Sequence, residues 1–373
     1  MNSQEVYVIS HYDADGVISA YLIKKLYNNA KVMFQHWLHF GLSKDDEIFN
    51  FLKQKNNAKI FITDLGSDEK TLDAASLLSK NNEVVFVDHH PPKSKAPTSF
   101  TSPNLHIIHS TTNCTTGLIY EYAEAMGFNI DDWFRMFTAV GIIADVADQT
   151  QDGSMVLAKI KEKIKFPFWE RSYWSSKGGE FSLNIASSLG AMINSARRIT
   201  YHYGATVAFK ALQEIESGGL EFAIRIIPSG ELEDLSEEAK YPHLALLKRW
   251  HEVWLEKRNE IFSSNRIVNM NFEKFYLSFL NHPWDIAGYV ANVKAKPDKP
   301  AVAINYGVPS SDYASLAARG GDKLDVVMAL LTEKSEGFIS GGGHPQAVGG
   351  LVSRQLDVRT VINLLVEVFE LVK

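Results

Sequence analysis

The chain has 373 residues, of which 45% are hydrophobic and 22% are charged, a composition typical of a folded globular protein rather than a disordered or fibrous one. At this length we expect two or three domains, each with its own core. The formal net charge of −6 argues against a broad basic surface that coats long nucleic acid, although it is compatible with a short phosphate ligand.

The apolar segments and the cysteine count set the expected compartment and metal chemistry. No apolar run approaches the roughly 20 residues that cross a bilayer, and the amino terminus lacks a secretory pattern, so we expect a cytoplasmic protein with no membrane partner. Cys114 is the only cysteine, which excludes an internal disulfide and a zinc site built from cysteines. Any metal must therefore be held by oxygen and imidazole.

Strand-like and helix-like segments alternate in the first part of the chain. The strand-like runs are 6–9, 59–63, 83–87 and 105–109, and segments 16–27 and 69–79 have helical character. This alternation is typical of βαβ units. It predicts an α/β fold whose N-terminal domain is a doubly wound, mainly parallel sheet.

The remaining segments predict a second domain. Residues 115–145 are helix-rich, 155–180 read as an insertion or lid, 231–262 as a long connecting helix, and 356–371 as a last amphipathic helix. From about residue 266 strands and a helix alternate again. We therefore predict a domain over 1–225, a helical linker over 226–264, and a smaller α/β domain over 265–373, with a cleft between the two domains.

Aspartates and histidines cluster at the ends of hydrophobic runs. They are His11, Asp13 and Asp15, then Asp64, then Asp88, His89 and His90, and finally Asp145. The carboxyl ends of parallel strands meet at one crevice, so these side chains are expected to surround a shared ligand. Carboxylate and imidazole without cysteine suit Mn²⁺, with Mg²⁺ as the alternative. Two such ions can hydrolyse a phosphate ester with an activated water.

Individual residues of these clusters carry separate expectations. Adjacent residues of a strand point to opposite sides, so one of His89 and His90 is expected to bind metal while the other reaches the substrate. Asp64 taken alone reads as a helix cap, and Asp148 as an ordinary turn carboxylate.

Candidate anion contacts lie elsewhere in the chain. The glycines of Gly341-Gly342-Gly343-His344 let backbone amides approach an anion closely, and the histidine adds a donor. Arg319 has the planar fork that matches a phosphate, and Arg197 and Arg198 form a further basic point. A plain glycine turn and ordinary surface arginines are the alternative interpretations.

At these residues the chain resembles the DHH phosphoesterase superfamily, whose name is the triplet Asp88-His89-His90, with a DHHA1-type second domain that carries the run ending at His344. Within it the chain is most similar to the RecJ-like exonucleases. Segment 193–198 resembles that branch's Ile-Asn-Ala-Ala-Gly-Arg, segment 281–291 resembles the start of its second domain, and Arg319 lies where its Ser-x-Arg phosphate contact does.

The resemblance implies a residue-by-residue site. One Mn²⁺ would be held by His11, Asp13 and Asp64, and the other by Asp15, Asp64, His89 and Asp145. His90 would contact the scissile phosphate and Asp88 would orient it. The implied nucleotide contacts are Asn194, Arg198, Arg319, Gly342, Gly343 and His344.

Three residues depart from the RecJ pattern. Arg197 replaces its glycine, Ala317 replaces the serine of Ser-x-Arg, and His11 stands where bacterial enzymes have Asp. The OB-fold module that bacterial RecJ adds for longer strands is not expected here either. Short oligonucleotides are therefore favoured over long DNA.

The sequence leaves three functions open. The leading hypothesis is a Mn²⁺-dependent phosphodiesterase or exonuclease, with two ions per chain, that converts single-stranded DNA, RNA or short oligonucleotides to nucleoside monophosphates. The second is hydrolysis of a cyclic or linear dinucleotide, 3′-phosphoadenosine 5′-phosphate or pyrophosphate. The third is a non-catalytic scaffold resembling Cdc45. A second copy of the chain and a replication or repair protein are both compatible partners.

Overall fold

The computed structural model describes residues 4–39, 41–91, 102–164, 171–176, 179–226, 235–263, 266–296 and 298–372. The chain divides into two compact units, Met1–Val253 and Trp254–Lys373. The division falls inside one long helix, Pro242–Ser263. Each unit is built around its own sheet.

The first unit alternates strands and helices. Its strands are β1 (Val6–Ser10), β2 (Lys31–Phe34), β3 (Lys59–Thr63), β4 (Glu83–Asp88), β5 (Leu105–His109), β6 (Arg171–Ser176) and β7 (Gly179–Asn184). Its helices are α1 (Ala14–Leu26), α2 (Glu47–Lys53), α3 (Glu69–Leu78), α4 (Thr115–Ala125), α5 (Asp132–Ala144), α6 (Gln151–Lys163), α7 (Ile185–Thr200), α8 (His202–Glu214), α9 (Leu220–Ile226), α10 (Leu235–Lys240) and most of α11 (Pro242–Ser263).

Five of these strands form one parallel sheet in the order β2-β1-β3-β4-β5. The prediction of a mainly parallel α/β sheet is confirmed. In this strand order the connections leave β1 in opposite directions, so a crevice opens at the carboxyl ends of β1 and β3. Residues that follow these two strands are therefore placed at the same ligand-binding edge.

The central strands are buried on both faces, which explains their continuous apolar runs. On one face Ile9 and Ile62 pack in a cluster with Phe49 of α2 and Leu72 of α3. On the opposite face of the sheet, Val8 and Phe61 are also fully buried. Helices on both faces hold the sheet rigid and so fix the positions of the strand ends.

The structure differs from the sequence reading at one strand of this unit. Strand β2 was not predicted, because it is a short, partly exposed edge strand with no continuous apolar run. Asp145 follows helix α5, in the segment 115–145 that was predicted to be helix-rich. The expected insertion at 155–180 contains the end of α6 and the hairpin β6-β7, while 165–170 and 177–178, with Trp169, lie outside the described residues.

The second unit has a mixed six-stranded sheet in the order β12-β13-β11-β10-β9-β8. Its strands are β8 (Ile267–Asn271), β9 (Tyr276–Leu280), β10 (Ala301–Asn305), β11 (Tyr313–Arg319), β12 (Ile339–His344) and β13 (Ala347–Ser353), and its helices, after the end of α11, are α12 (Ala287–Lys294), α13 (Leu324–Lys334) and α14 (Val358–Leu371). Leu277, Leu316, Met328 and Leu365 lie in its core. The prediction of a second, smaller α/β domain is confirmed.

The glycine run of this unit lies in edge strand β12, antiparallel to β13, and not in a plain turn. A Cβ at Gly341 would lie 2.3 Å from the Gly349 carbonyl oxygen, and Gly343 has φ +145°, which favours glycine. Close strand pairing therefore explains at least two of these glycines. No helix in the described ranges is long and apolar enough to cross a membrane.

Candidate metal centre

The turn between β1 and α1 contributes the first candidate ligands. His11 follows β1 directly, and its Nδ1 lies 2.9 Å from Asp13 Oδ2 and 3.6 Å from Asp64 Oδ2. Asp13 is also the N-cap of α1, because its Oδ1 accepts a hydrogen bond from the Gly16 amide at 3.1 Å. One carboxylate oxygen of Asp13 thus fixes the turn while the other faces His11.

Asp64 comes directly after β3 and lies between the other candidate ligands. It is 2% exposed and has φ +59°, a left-handed conformation that Asp adopts more readily than most residues. Its amide donates to the Val87 carbonyl at 3.0 Å, and its Oδ1 accepts from Thr115 Oγ1 at 3.2 Å. The bend turns the Asp64 carboxylate into the crevice rather than toward α3, where Asp68 is the N-cap instead.

The two histidines of the triplet lie on the same side, so the prediction that they point to opposite sides was wrong. Their rings stack with centroids 4.4 Å apart, and both Nδ1 atoms lie within 4 Å of Asp64 Oδ1, at 3.5 Å for His89 and 3.9 Å for His90. Strand β4 ends at Asp88, so strand alternation no longer applies. Asp88 accepts from the amides of Gly66 and His90 and lies 2.9 Å from His90 Nδ1.

Asp15 connects the turn after β1 to helix α4. Its two carboxylate oxygens accept hydrogen bonds from the amides of Thr115 and Thr116, each at 2.9 Å, and the Thr116 hydroxyl donates to it as well. The amino end of a helix stabilises an anion in this way. Asp15 therefore caps α4 from a distant part of the chain, and its Oδ2 also lies 3.4 Å from His89 Nδ1.

Asp145 completes the cluster from the end of α5. Its Oδ2 lies 3.5 Å from His89 Nε2. Donor atoms closer than 4.8 Å to one another form three groups: His11 with Asp13 and Asp64, Asp64 with His89 and His90, and Asp15 with Cys114 and Asp145. The first group is the ligand set that the resemblance implies for one ion. The other two groups separate the residues implied for the second ion. One combines Asp64 and His89 with His90, and the other combines Asp15 and Asp145 with Cys114.

The electrostatics of the cluster follow from burial and from crowded carboxylates. Burial and the neighbouring Asp13, Asp15, Asp145 and Asp88 raise the pKa of Asp64 well above its usual value. Burial also raises the pKa of Asp145, to about 8, although His89 opposes this. The cluster thus concentrates more negative charge than its own histidines neutralise.

The pKa values of Asp13 and His89 are shifted in the directions that favour the charged forms of these side chains. Burial disfavours the charge on Asp13, but His11 and Arg197 hold its pKa well below the usual range. Burial likewise disfavours a charged His89, yet Asp15 and Asp145 raise its pKa to about 10. The charges of Asp13 and His89 are therefore stabilised by their neighbours, whereas burial and crowding disfavour the charges of Asp64 and Asp145.

The predicted substrate contacts of the first unit lie on α7. The Asn194 Oδ1 accepts from the Ala14 amide at 3.2 Å, so this residue braces the turn after β1. Arg197 reaches the cluster, since its guanidinium lies 3.7 Å from Asp13 Oδ2 and over the Tyr12 ring. Arg198 is half-buried on the same helix.

The remaining predicted contacts belong to the second unit. The Arg319 Nη1 donates to the carbonyls of Ala318 and Val348, both at 2.8 Å, which fixes its side chain. A Cβ at Gly288 would lie 3.0 Å from Arg319 Nη2, so the glycine leaves room for that guanidinium. Gly342, Gly343 and His344 lie in β12.

Sequence reasoning missed Thr115 and Thr116. Their role depends on a contact about a hundred residues away, which no local pattern shows. The sequence offers only a partial signal, because Cys114, the N-cap of α4, is not a preferred capping residue and makes no side-chain capping hydrogen bond. A helix start without its own cap indicates that another residue supplies one.

Gly16→Ala is expected to disturb the cluster without removing a ligand. A Cβ at this position would lie 2.3 Å from the backbone oxygen of His11 and 2.7 Å from its carbonyl carbon. Because backbone cannot move aside cheaply, the variant should lose about 1–3 kcal/mol of stability and bind Mn²⁺ more weakly. Thermal unfolding and calorimetric Mn²⁺ titration measure both effects. Gly349→Ala, where a Cβ would meet nothing within 4 Å, is the control, and wild-type affinity in Gly16→Ala would contradict the argument.

Known proteins are similar to this chain in family and in fold. Residues 5–144 match the model of the DHH family, N-terminal domain. No curated protein matches the chain in sequence.

Solved structures share the fold over nearly the whole chain. A DHH-domain structure described as a member of a family of ribosomal proteins has a TM-score of 0.67 at 14% identity, covering 99% of this chain and 87% of its own. Exonuclease RecJ bound to manganese has a TM-score of 0.53 at 18% identity, covering 98% and 90%. CDC45 from Entamoeba histolytica has a TM-score of 0.53 at 10% identity, covering 99% and 96%.

The family match includes β1, β3 and β4 and ends at Ala144, the last residue of α5. Residues 5–144 are therefore an N-terminal domain of the DHH family, and the fold of nearly the whole chain is shared with RecJ.

Proposed function

We propose that this protein is a Mn²⁺-dependent phosphodiesterase that removes nucleoside monophosphates from single-stranded nucleic acid, with short oligonucleotides as its preferred substrates. The observation that carries the proposal is the convergence of four aspartates and three histidines around Asp64. DHH proteins are usually phosphoesterases, and the complete donor set favours this activity over a scaffold role like that of CDC45.

The donors fit a pair of divalent cations. Oxygen and imidazole are the ligands that Mn²⁺ takes, and Asp64 lies within ion-pair distance of both His11 and His89, as a shared ligand must. The raised pKa of Asp64 comes from burial and neighbouring carboxylates, the repulsion that a cation would relieve. When bound, such ions polarise a phosphoryl group and acidify the attacking water.

The side chains of the cluster have separate proposed roles. His11, Asp13 and Asp64 would hold one ion, and Asp15, His89 and Asp145, with Asp64 shared, the other. Asp88 fixes the ring of His90, which we assign to the scissile phosphate. The Arg197 charge lies beside Asp13 and can also attract the substrate phosphate. We assign Arg198 and Asn194 to the substrate side of the same helix.

Two elements of the second unit are also assigned to the substrate. Arg319 is already oriented by two backbone carbonyls, which lowers the entropy that its fork loses on binding a phosphate. Gly342, Gly343 and His344 of β12 are assigned to the nucleotide on the resemblance to the DHHA1-type domain. These assignments do not depend on the assignment of the metal ligands.

A matched pair of variants tests the activity. Purified protein with Mn²⁺ should release mononucleotides from an end-labelled short oligonucleotide, and Asp145→Asn should lose more than about 100-fold, because even outer partners of metal ligands are worth about 10–100-fold. Asp148→Asn, three residues away in the 3₁₀ helix Ala147–Gln149, should retain the wild-type rate. Chromatography of the products gives both rates.

The same assay distinguishes the alternative functions. Turnover of dinucleotides, 3′-phosphoadenosine 5′-phosphate or pyrophosphate without any release from oligonucleotides would replace the proposal by a small-molecule phosphohydrolase. If nothing is turned over and calorimetry detects no Mn²⁺ binding, the scaffold role is the correct one.

A further inference from the structure

Four aromatic side chains form a continuous row next to the candidate metal centre. We call His39, His36, His202 and Tyr203 the aromatic row. Neighbouring ring centroids along it are 5.8, 4.6 and 4.4 Å apart. These separations are typical of interacting aromatic pairs. The row combines residues from the loop after β2 with the first two residues of α8.

The row lies at the same sheet edge as the candidate ligands. Strands β1 and β2 are parallel, with Ser10 opposite Phe34, and the Gln35 amide donates to the Ser10 carbonyl at 2.9 Å. His11 and His36 therefore follow neighbouring strands at the same end.

Helix α7 connects the two places. Asn194, Arg197 and Tyr201 recur three and four residues apart, the spacing of one helix face. Asn194 and Arg197 contact the turn after β1. Tyr201, directly after the helix, packs against Trp37 in the loop after β2, with ring centroids 4.6 Å apart. Helix α7 and the residue that follows it therefore contact the candidate metal centre on one side and the loop of the aromatic row on the other.

The row is not part of the hydrophobic core. The neighbouring pair Trp37 and Tyr201 is buried, at 6% and 7% exposure, and supports the loop. In contrast, His36 and His202 are half-buried, and Tyr203 is 70% exposed although its ring contacts that of His202 at an interplanar angle of 30°. An exposed tyrosine at the end of a supported row contributes little to folding and offers a ring surface to a ligand.

The charges along the row differ from one end to the other. Burial lowers the pKa values of His36 and His202, and a neighbouring imidazole adds to each shift, His39 for His36 and His36 for His202, so both rings favour their neutral forms. His39 is paired with Asp46, and the hydrogen bond between them raises the pKa of His39. Neutral rings suit stacking, and His39, whose pKa is raised, is the ring of the row that best suits a phosphate.

We propose that the aromatic row binds the unpaired bases of a single-stranded substrate, with the faces of its rings stacking on the bases and His39 facing the backbone. Every nucleobase has a π-face, so stacking of this kind tolerates any sequence, and only unpaired bases can reach it. This inference rests on the proposed function and deepens it, because it restricts the substrate to single strands long enough to extend from the metal centre to the row.

The test compares oligonucleotides with and without bases. All binding is measured in an Asp64→Asn background, so that the strand stays intact, by fluorescence anisotropy of a labelled single-stranded oligonucleotide of about six nucleotides and its abasic counterpart. Tyr203→Ala should weaken binding of the oligonucleotide about tenfold and leave the abasic strand unchanged. Tyr203→Phe, which keeps the ring, should restore the affinity. Tyr313→Ala, a partly exposed tyrosine of the second unit, is the control and should change neither.

Two outcomes would overturn the proposal. Equal weakening for the intact and the abasic strand would mean that the row recognises phosphate, and unchanged binding of both strands in Tyr203→Ala would mean that it recognises neither. Failure of this proposal and failure of the proposed activity give different results. If the wild type cuts oligonucleotides but Tyr203→Ala binds them normally, only the row fails. If base-dependent binding appears but the wild type cuts nothing, only the activity fails.

Discussion

Asp64→Asn is expected to abolish Mn²⁺ binding and to lower hydrolysis by more than about 100-fold, while the metal-free protein becomes no less stable than the wild type. The carboxylate lies between both halves of the cluster, 3.6 Å from His11 Nδ1 and 3.5 Å from His89 Nδ1. Removal of its charge would therefore take a shared ligand from both of the proposed ions.

Most substitutions at buried sites destabilise a protein, whereas this one is expected not to lower the stability of the metal-free protein. Asn tolerates the left-handed backbone at φ +59° and can still accept the hydrogen bond from Thr115. It also ends the repulsion from Asp13, Asp15, Asp145 and Asp88 that raises the pKa of Asp64. Function at this position is thus gained at a cost in stability.

Thermal unfolding in chelator, Mn²⁺ titration calorimetry and the oligonucleotide assay measure the three parts of the prediction. Asp45→Asn, at an exposed position, serves as the control for loss of a negative charge. A variant that still binds two Mn²⁺ ions with wild-type affinity would show that Asp64 is not a shared ligand. A large loss of stability in chelator would show that the carboxylate has a structural role instead.

The second large effect is a pH-dependent stabilisation by Mn²⁺, which should increase as the pH rises from about 6.5 to about 8. The pKa of Asp145 is about 8 in the folded protein against an ordinary 3.8, and that of His89 is about 10 against 6.5. Between 6.5 and 8 both groups hold protons in the folded chain that they lose in the unfolded chain. The native state then binds more protons, so the metal-free protein loses stability as the pH rises.

Metal ions compete with these protons, so their binding tightens over the same range. The difference in unfolding temperature between Mn²⁺ and chelator, measured across this range, should therefore grow with pH. In Asp145→Asn the growth should be smaller, because one of the two proton-holding groups is gone. A difference that stays constant with pH in the wild type would mean that no proton is displaced on binding.

The parts of the fold that could be predicted were those with a local signal. The buried strands β1, β3 and β4 have continuous apolar runs, and each ends at the aspartate or histidine that enters the crevice. The parallel arrangement then followed from alternation with helices. Asp64 was harder, because its sequence context is that of a helix cap, and only the left-handed turn seen in the structure directs it elsewhere.

Contacts between distant segments could not be predicted. Nothing near Asp15 indicates that it caps α4, since the partners Thr115 and Thr116 lie in another βα unit. The stacking of His89 on His90 depends on where β4 ends, and a boundary shift of one residue changes which side each ring faces. The aromatic row joins the loop after β2 to the start of α8, and β2 had no strand signal.

The capping of α4 by Asp15 bears on how the proposed metal centre would take up its ions. Three donors from one helix start hydrogen-bond to this carboxylate, so contacts within the polypeptide already position it in the crevice. In small zinc domains, by contrast, the apoprotein is unfolded until the ion arrives. A centre that is assembled before metal binding would exchange one ion for another without unfolding, so under the proposed function its occupancy would follow the supply of manganese or magnesium in its surroundings.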